Sequence, residues 1–226
     1  MGMDYMKNAL MLALSLAAVT LPATNASAAT TVSVNTGVTN NWSFSPTLVG
    51  GYLTAVIPTT VHPNWVGDNN NSGAGGAKWI TQVSPGPTNV APGDTYYQTV
   101  FQISNIAQLS QLALAGTFWA DNSVVQIFLN NNVITGSGGT FNGSGTAFGT
   151  TTASFFREGA NTLTFRVRND GPAATQPNSN PAGLLVSGVF SAVPEPGTWM
   201  LMMLGLGAVG FSMRRRHKTQ VRFQFA

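Results

Sequence analysis

Between residues 29 and 192, apolar and polar positions alternate with period two in short runs that are broken by Gly, Asn and Pro clusters. Alternation of that period predicts half-buried strands, because successive side chains of an extended backbone point to opposite faces. The clearest run is residues 161–169 (NTLTFRVRN), with Leu163, Phe165 and Val167 on one face and Thr162, Thr164, Arg166 and Arg168 on the other. The arginines are expected to face solvent or a groove. Residues 123–130 (SVVQIFLN) predict a strand with Val125, Ile127 and Leu129 inward, ending in an Asn130-Asn131-Asn132 turn where positive φ is tolerable. Residues 95–103 (TYYQTVFQI) alternate Tyr97, Thr99, Phe101 and Ile103 against Gln98 and Gln102. Residues 109–120 (LSQLALAGTFWA) and 183–190 (GLLVSGVF) predict two more strands, the first buried on both faces for part of its length. Six or more such strands need two sheets, so the expectation is an all-β, two-sheet antiparallel β-sandwich. Two stretches, 67–77 (GDNNNSGAGGA) and 136–145 (GSGGTFNGSG), are too Gly-rich to pack a core and read as loops at the ends of the sandwich or as lips of a binding face.

Both ends of the chain depart from this pattern. Lys7 precedes an apolar run at residues 9–21, and Ala26-Ser27-Ala28 follows with small residues where a signal peptidase reads them. This order predicts a signal peptide over residues 1–28 and a mature N-terminus at Ala29. Near the other end, 17 uncharged residues at 197–213 would form a helix of about 26 Å, against a hydrocarbon core of about 30 Å. The run spans only marginally, and Arg214, Arg215 and Arg216 after it favour the cytoplasmic side.

Composition sharpens this division. The chain of 226 residues is only 8% charged, and its net charge of +3 with a pI near 9.6 suggests a basic surface. From residue 29 to 192, however, four bases face five acids, a net of −1. The basic residues cluster at the two ends, so a nucleic-acid partner is not expected. The absence of cysteine removes disulfides, thiolate catalysis and thiolate metal sites together.

Val193-Pro194-Glu195-Pro196, then an apolar helix and an Arg cluster, resembles the PEP-CTERM sorting signal of Gram-negative bacteria. The resemblance implies recognition and cleavage by an exosortase, and a setting of exopolysaccharide, biofilm or floc. Residues 193–226 would form this signal, with ten residues, 217–226, following the arginines where family members usually stop sooner. The middle, residues 29–192, resembles a galactose-binding-like or carbohydrate-binding-module jelly roll. The matching segments are His62-Pro63-Asn64-Trp65, Trp79-Ile80, residues 93–97 leading into Phe101, residues 116–122, Leu129-Asn130 and residues 159–163. That likeness implies a sandwich and, less directly, a sugar ligand, because such folds host many functions.

Few groups are equipped for catalysis. His62 is the only histidine outside the tail, it precedes Pro63, and no G-x-S-x-G elbow is present. Asp94, Glu158 and Asp170 each sit in a Gly-containing turn signal, which explains them without a glycosidase pair. No enzyme is expected. No cofactor is expected either; Asp68 with Asn69, Asn70 and Asn71 lacks EF-hand spacing and leaves only a structural calcium open. Sugar binding needs an aromatic face and hydroxyl-seeking polar groups, and Trp65, Trp119, Asp121, Asn122, Asn130, Arg166 and Arg168 are the candidates.

The sequence therefore predicts a non-enzymatic exported protein, extracellular or on the outer cell surface and held transiently in the inner membrane by its C-terminal helix. Its processing residues would be Ala26, Ala28 and Ala29 at one end, and Pro194, Glu195, Pro196 and the three arginines at the other. Signal peptidase, exosortase, the membrane and an exopolysaccharide or other glycan are its expected partners. The alternatives are a structural or adhesive protein that binds other proteins without a ligand site and, last, a polysaccharide hydrolase. N-terminal sequencing of exported protein should begin at Ala29; an intact Met1 or Met6 would overturn the leader assignment.

Overall fold

The computed structural model describes residues 29–38, 41–67, 76–83, 90–171, 180–194 and 196–215. The expected signal peptide, with Ala26 and Ala28, lies outside the described residues, as do Asp68 to Asn71, Glu195 and Arg216. Among the described residues, ten strands form two antiparallel sheets. They are β1 (Thr30–Ser33), β2 (Trp42–Ser45), β3 (Leu53–Thr54), β4 (Gly93–Ile103), β5 (Leu109–Asp121), β6 (Ser123–Leu129), β7 (Asn132–Ile134), β8 (Thr146–Thr150), β9 (Gly159–Asn169) and β10 (Gly183–Pro194). A four-stranded sheet has the order β1-β10-β5-β8 and a six-stranded sheet the order β3-β2-β4-β9-β6-β7. The chain crosses between sheets from β4 to β5 and back from β5 to β6, which produces the two-sheet, jelly-roll-like sandwich that the alternation predicts.

Inward positions of both sheets meet in one core. Phe165 of β9 is packed edge-on by Phe118 of β5 and Phe148 of β8, with ring centroids 5.8 and 5.1 Å away. Leu163, Phe165 and Val167 are buried as their alternation requires, and so are Tyr97, Thr99, Phe101 and Ile103 on β4. The expectation for β6 needs correction at one residue. Val124 is buried, whereas Val125 is exposed, because the β6–β9 register shifts between Val124 and Gln126. A bulge inserts one unpaired residue and moves the preceding side chain to the other face. Asn130 and Asn131 both take positive φ in the turn to β7, as expected of an asparagine turn.

The β5–β10 pair is buried on both sides. Phe118, Trp119, Ala120 and Asp121 are buried in succession, and Leu184, Leu185 and Val186 on β10 match them. One face joins the main core. The other carries a second cluster of Trp65, Trp79, Trp119, Leu185 and Ala77, with Phe141 packed against it. Residues 136–145 therefore do pack, contrary to their reading as a free loop. Glycine is what allows this: a Cβ on Gly145, at φ +76°, would lie 2.5 Å from the Trp119 ring, so only a bare backbone fits against the indole.

After β10 comes helix α1 (Pro196–Arg215). The large apolar side chains Met200, Leu201, Met202, Met203, Leu204, Leu206, Val209, Phe211 and Met213 are all exposed. Among the described residues no helix is long and apolar enough to cross a membrane. This corrects the expected transmembrane helix: the uncharged run at 197–213 reaches only about 26 Å at ~1.5 Å per residue against a hydrocarbon core of about 30 Å, and Gly205, Gly207, Gly210 and Ser212 dilute its apolar character.

Close sheet contact is testable at Gly116, where a Cβ would lie 2.4 Å from the Ser187 carbonyl oxygen and 2.6 Å from Gly188 Cα. Gly116→Ala should cost about 1–3 kcal/mol in chemical denaturation, the range for overpacking against backbone. Gly51→Ala, with nothing within 4 Å of its Cβ, should be near neutral.

Candidate functional site

Strand register places Asp94, Gln98, Gln126, Arg166 and Arg168 on the outer face of the six-stranded sheet. On β4 the odd positions from Thr95 to Ile103 are buried, so Asp94, Tyr96 and Gln98 point outward. On β9 the same logic turns Arg166 and Arg168 outward, between buried Phe165, Val167 and Asn169. Pairing aligns these into rows across the sheet. One row runs Ser45, Tyr96, Arg166, Gln126; the next runs Ser43, Gln98, Thr164, Phe128; and a third joins Asp94, Arg168 and Ser123. All of these are half-buried except Ser45 and Thr164, which are buried.

Asp94 is the pivot of the face. Its Oδ2 accepts from Arg166 Nε at 2.8 Å and Nη2 at 2.5 Å, and its Oδ1 accepts from Arg168 Nε. The hydrogen bond from Arg168 and then that from Arg166 hold the Asp94 carboxyl below its ordinary pKa, and Asp94 in turn raises that of Arg168. One carboxylate thus fixes two guanidinium groups side by side on the face. Gln98 Nε2 donates to Thr164 Oγ1 at 3.3 Å in the adjacent row. Planar donors, amides and the half-exposed rings of Tyr96 and Phe128 are the group types that engage sugar hydroxyls and pyranose faces.

The seven candidate sugar residues are not brought to one place. Trp65, Trp119 and Asp121 meet on the outer side of the four-stranded sheet, where all three are buried. Trp65 stacks on Trp79 at 4.2 Å between centroids, and its Nε1 donates to Asp121 Oδ2 at 2.7 Å. Trp119 Nε1 donates to the Gly143 carbonyl at 3.0 Å and Trp79 Nε1 to that of Val66 at 2.8 Å. Burial raises the Asp121 pKa, while the Trp65 hydrogen bond and the nearby His62 oppose the rise. Asn122 sits in the β5–β6 connection, where its Oδ1 accepts from Asp170 N at 2.7 Å. Asn130 lies at the other end of β6 and braces β9, with Oδ1 accepting from Thr162 N and Nδ2 donating to Asn161 Oδ1. Only Arg166 and Arg168 stand on the polar sheet face.

Asp94, whose Pro92-Gly93 neighbours predict a turn, lies instead within β4, opposite Arg168. Tyr96, Gln98, Gln126 and Phe128 were likewise missed, although the period-two rule already sets Tyr96 and Gln98 on the face opposite Tyr97 and Thr99. Glu158 has a structural partner, since its two oxygens accept from Asn105 N and Ile106 N at 2.8 and 2.7 Å. Among the described residues no group of three or more His, Asp or Glu side chains could hold a metal ion.

The C-terminal segment is the second functional element. Val193 and Pro194 pair with Ser110 and Leu109 at the end of β10, and α1 begins at Pro196. Residues 192–216 match the family described as PEP-CTERM protein-sorting motif. The chain carries a PEP-CTERM sorting motif. The motif supports export through an exosortase system and is consistent with exosortase as the processing partner. No curated protein matches the chain. Similar solved structures include the β-D-glucuronidase of Dictyoglomus thermophilum (14% identity, TM-score 0.38), covering 74% of this chain and 28% of that one. The FMN-binding β-glucuronidase of Facaelibacterium prausnitzii L2-6 (19%, TM-score 0.40) covers 74% and 23%, and an uncultured Clostridium sp. β-glucuronidase (14%, TM-score 0.41) covers 74% and 29%. This chain thus spans less than a third of those chains, and likeness at that level carries no argument about activity.

The two perturbed carboxylates make opposite pH predictions. Asp94, with its folded pKa depressed, stabilises the fold fully above about pH 3.9 and loses that contribution as pH falls through its folded pKa. Asp94→Ala should therefore lower Tm at pH 7, with the deficit vanishing toward pH 2. Asp121, with its folded pKa raised, contributes fully below about pH 3.9 and loses that contribution as pH rises through its folded pKa. The Tm of Asp121→Asn relative to wild type should therefore climb between pH 3 and pH 7. A pH-independent offset in either variant would refute the corresponding assignment.

Proposed function

We propose that this protein is a non-enzymatic, exported cell-surface or extracellular protein, sorted by its C-terminal motif, that binds exopolysaccharide or another glycan of the matrix through the outer face of its six-stranded sheet. The sorting motif at residues 192–216 carries the destination. The ligand reading rests on the Asp94–Arg166–Arg168 cluster with Tyr96, Gln98, Gln126 and Phe128 around it. Arg168 and Asp94 pair near the end of the sheet opposite Pro194, since β10 runs antiparallel to β5 and its Gly183 end meets Asp121 beside the start of β6. Trp65, Trp119 and Asp121 serve as the buttress under residues 136–145, and Asn122 and Asn130 hold the two ends of β6.

A second reading, a structural or adhesive protein, draws on the outer face of the four-stranded sheet. There Thr31, Ser33, Asn35, Ala115, Gly116, Ser187, Gly188 and Val189 line an open groove of about 470 Å³ with no charged side chain. Such a surface suits a flat protein contact better than a sugar.

Affinity electrophoresis of the full exported domain in matrix polysaccharide separates the two readings. Arg168→Ala or Tyr96→Ala should weaken retardation about tenfold or more, the worth of one charge-assisted hydrogen bond or stacked ring. Val189→Asp should leave it unchanged. No retardation of the wild type, together with unaltered matrix in a deletion strain, would defeat the glycan reading; loss of surface adhesion in Val189→Asp alone would select the second.

A further inference from the structure

The three charged side chains in the rows of the six-stranded sheet differ in how far they are covered. The Asp94 side chain is 17% exposed, that of Arg166 30% and that of Arg168 40%, so the guanidinium groups are what a ligand meets and the carboxylate is the most covered of the three. A guanidinium carries five N–H donors and no acceptor. Asp94 takes two of them from Arg166 and one from Arg168. Three remain on Arg166 and four on Arg168, and among the described residues none of these has a protein acceptor. The acceptor side of the cluster is, by contrast, largely used: Asp94 Oδ2 accepts twice and Oδ1 once. Around the cluster Gln98, Gln126 and Tyr96 supply neutral acceptors only.

This imbalance selects among sugars. A hydroxyl both donates and accepts, so a neutral chain would leave most of the guanidinium donors without a strong partner. A carboxylate only accepts, and it takes two parallel N–H groups from one guanidinium in charge-assisted bonds about twice as strong as neutral ones. Long-range attraction contributes little here. Asp170, exposed and directly after β9, is the other carboxylate that acts on Arg168, and with Asp94 it balances the two arginines. Residues 84–93 and 171–182, which adjoin β4, β9 and β10 in the chain, contain no charged residue. Arg157 and Glu158 precede β9 and belong to its far end. Recognition therefore falls to the short-range fork of each guanidinium rather than to a basic surface.

We infer that the glycan taken by this face is an acidic one, recognised through sugar carboxylates that accept from the unused N–H groups of Arg166 and Arg168. The inference deepens the glycan reading proposed above and rests on it. Asp94 is a positioning residue in this arrangement, since it orients both guanidinium groups without offering the ligand a free oxygen. Asp170 opposes binding, because it competes with the ligand carboxylate for Arg168.

Affinity electrophoresis of the exported protein tests the charge of the ligand. Gels contain the matrix polysaccharide, the same polysaccharide after chemical reduction of its carboxyl groups to alcohols, or dextran sulfate, and retardation is read against a polymer-free gel. Native polysaccharide should retard the wild type at least tenfold more strongly than the reduced form. Arg168→Lys, which keeps the charge and loses the fork, should weaken retardation about fivefold or more in native polysaccharide. Asp170→Asn should strengthen it about twofold to fivefold, the worth of one exposed charge, and leave the reduced polymer unaffected. A gain of affinity is a result that damage to the fold does not produce. Equal retardation by the native and reduced polymers overturns the inference and leaves the glycan reading standing. Retardation by dextran sulfate equal to that by native polysaccharide, and unchanged in Arg168→Lys, would mean bare charge attraction and also overturns it. No retardation by any of the three polymers defeats both.

Discussion

The antiparallel ladder of β5 and β10 is the constraint on which the rest of the structure depends. It runs from Gly183 against Asp121 to Pro194 against Leu109, with one irregularity between Ser191 and Val193. It is buried on both faces over its first half, and each face serves a different purpose. Phe118 and Val186 face the six-stranded sheet and close the core, whereas Trp119 and Leu185 face outward and receive the second aromatic cluster. Burying an indole removes roughly 200 Å² from water, about 5 kcal/mol as an upper figure. Three of them on one outer face explain how a chain without cysteine keeps the glycine-rich residues 136–145 in place.

Because β5 and β10 are both long, the ladder also separates the two ends of the domain. Asp121 leads through one residue to β6 and hence to the strand end that carries Arg168. Leu109 stands beside Pro194 and the start of α1. The sorting segment and the charged sheet face are consequently set apart by the length of a strand, and a protein attached through one is free to present the other. The polar face depends on the ladder less directly, since β9 is packed against the other sheet by Phe118 and Phe148 on Phe165, and β4 by Phe101 on Phe190. Asp94 then fixes the arginines, which without a carboxylate between them would repel one another across adjacent alternate positions of β9.

Much of this was legible in the sequence. Strands β4, β5, β6, β9 and β10 follow from alternation, and the asparagine turn after β6 from residue type. Strands β1, β2, β3, β7 and β8 carry two to five residues each and show too little periodicity to stand out. The Val125 bulge was hidden because a shift of one residue leaves composition unchanged. The indoles were harder: an aromatic beside Asp and Asn looks the same whether a sugar or a glycine-rich backbone covers it, and here Gly143 and Gly145 approach Trp119. Asp94 resembled a turn residue because Pro92 and Gly93 precede it, and its partners lie 72 and 74 residues away.

Local signals, then, were settled by the sequence alone: the strand periodicity, the order of apolar run, small residues and arginines at the two ends, and a middle of near-neutral charge. Those properties belong to neighbours in the chain: a period of two is complete within about a dozen residues, and the sorting motif within residues 192–216. What only the tertiary structure decided was which side chains share a face and which are covered. It joined Asp94 to Arg166 and Arg168, sealed Trp65, Trp119 and Asp121 beneath residues 136–145, and drew Ala192, Val193 and Pro194 out of the tail and into the sheet. The physical reason is the same in each case: burial and pairing are set by residues brought across the sheet from distant parts of the chain, and no local pattern encodes which of them will meet.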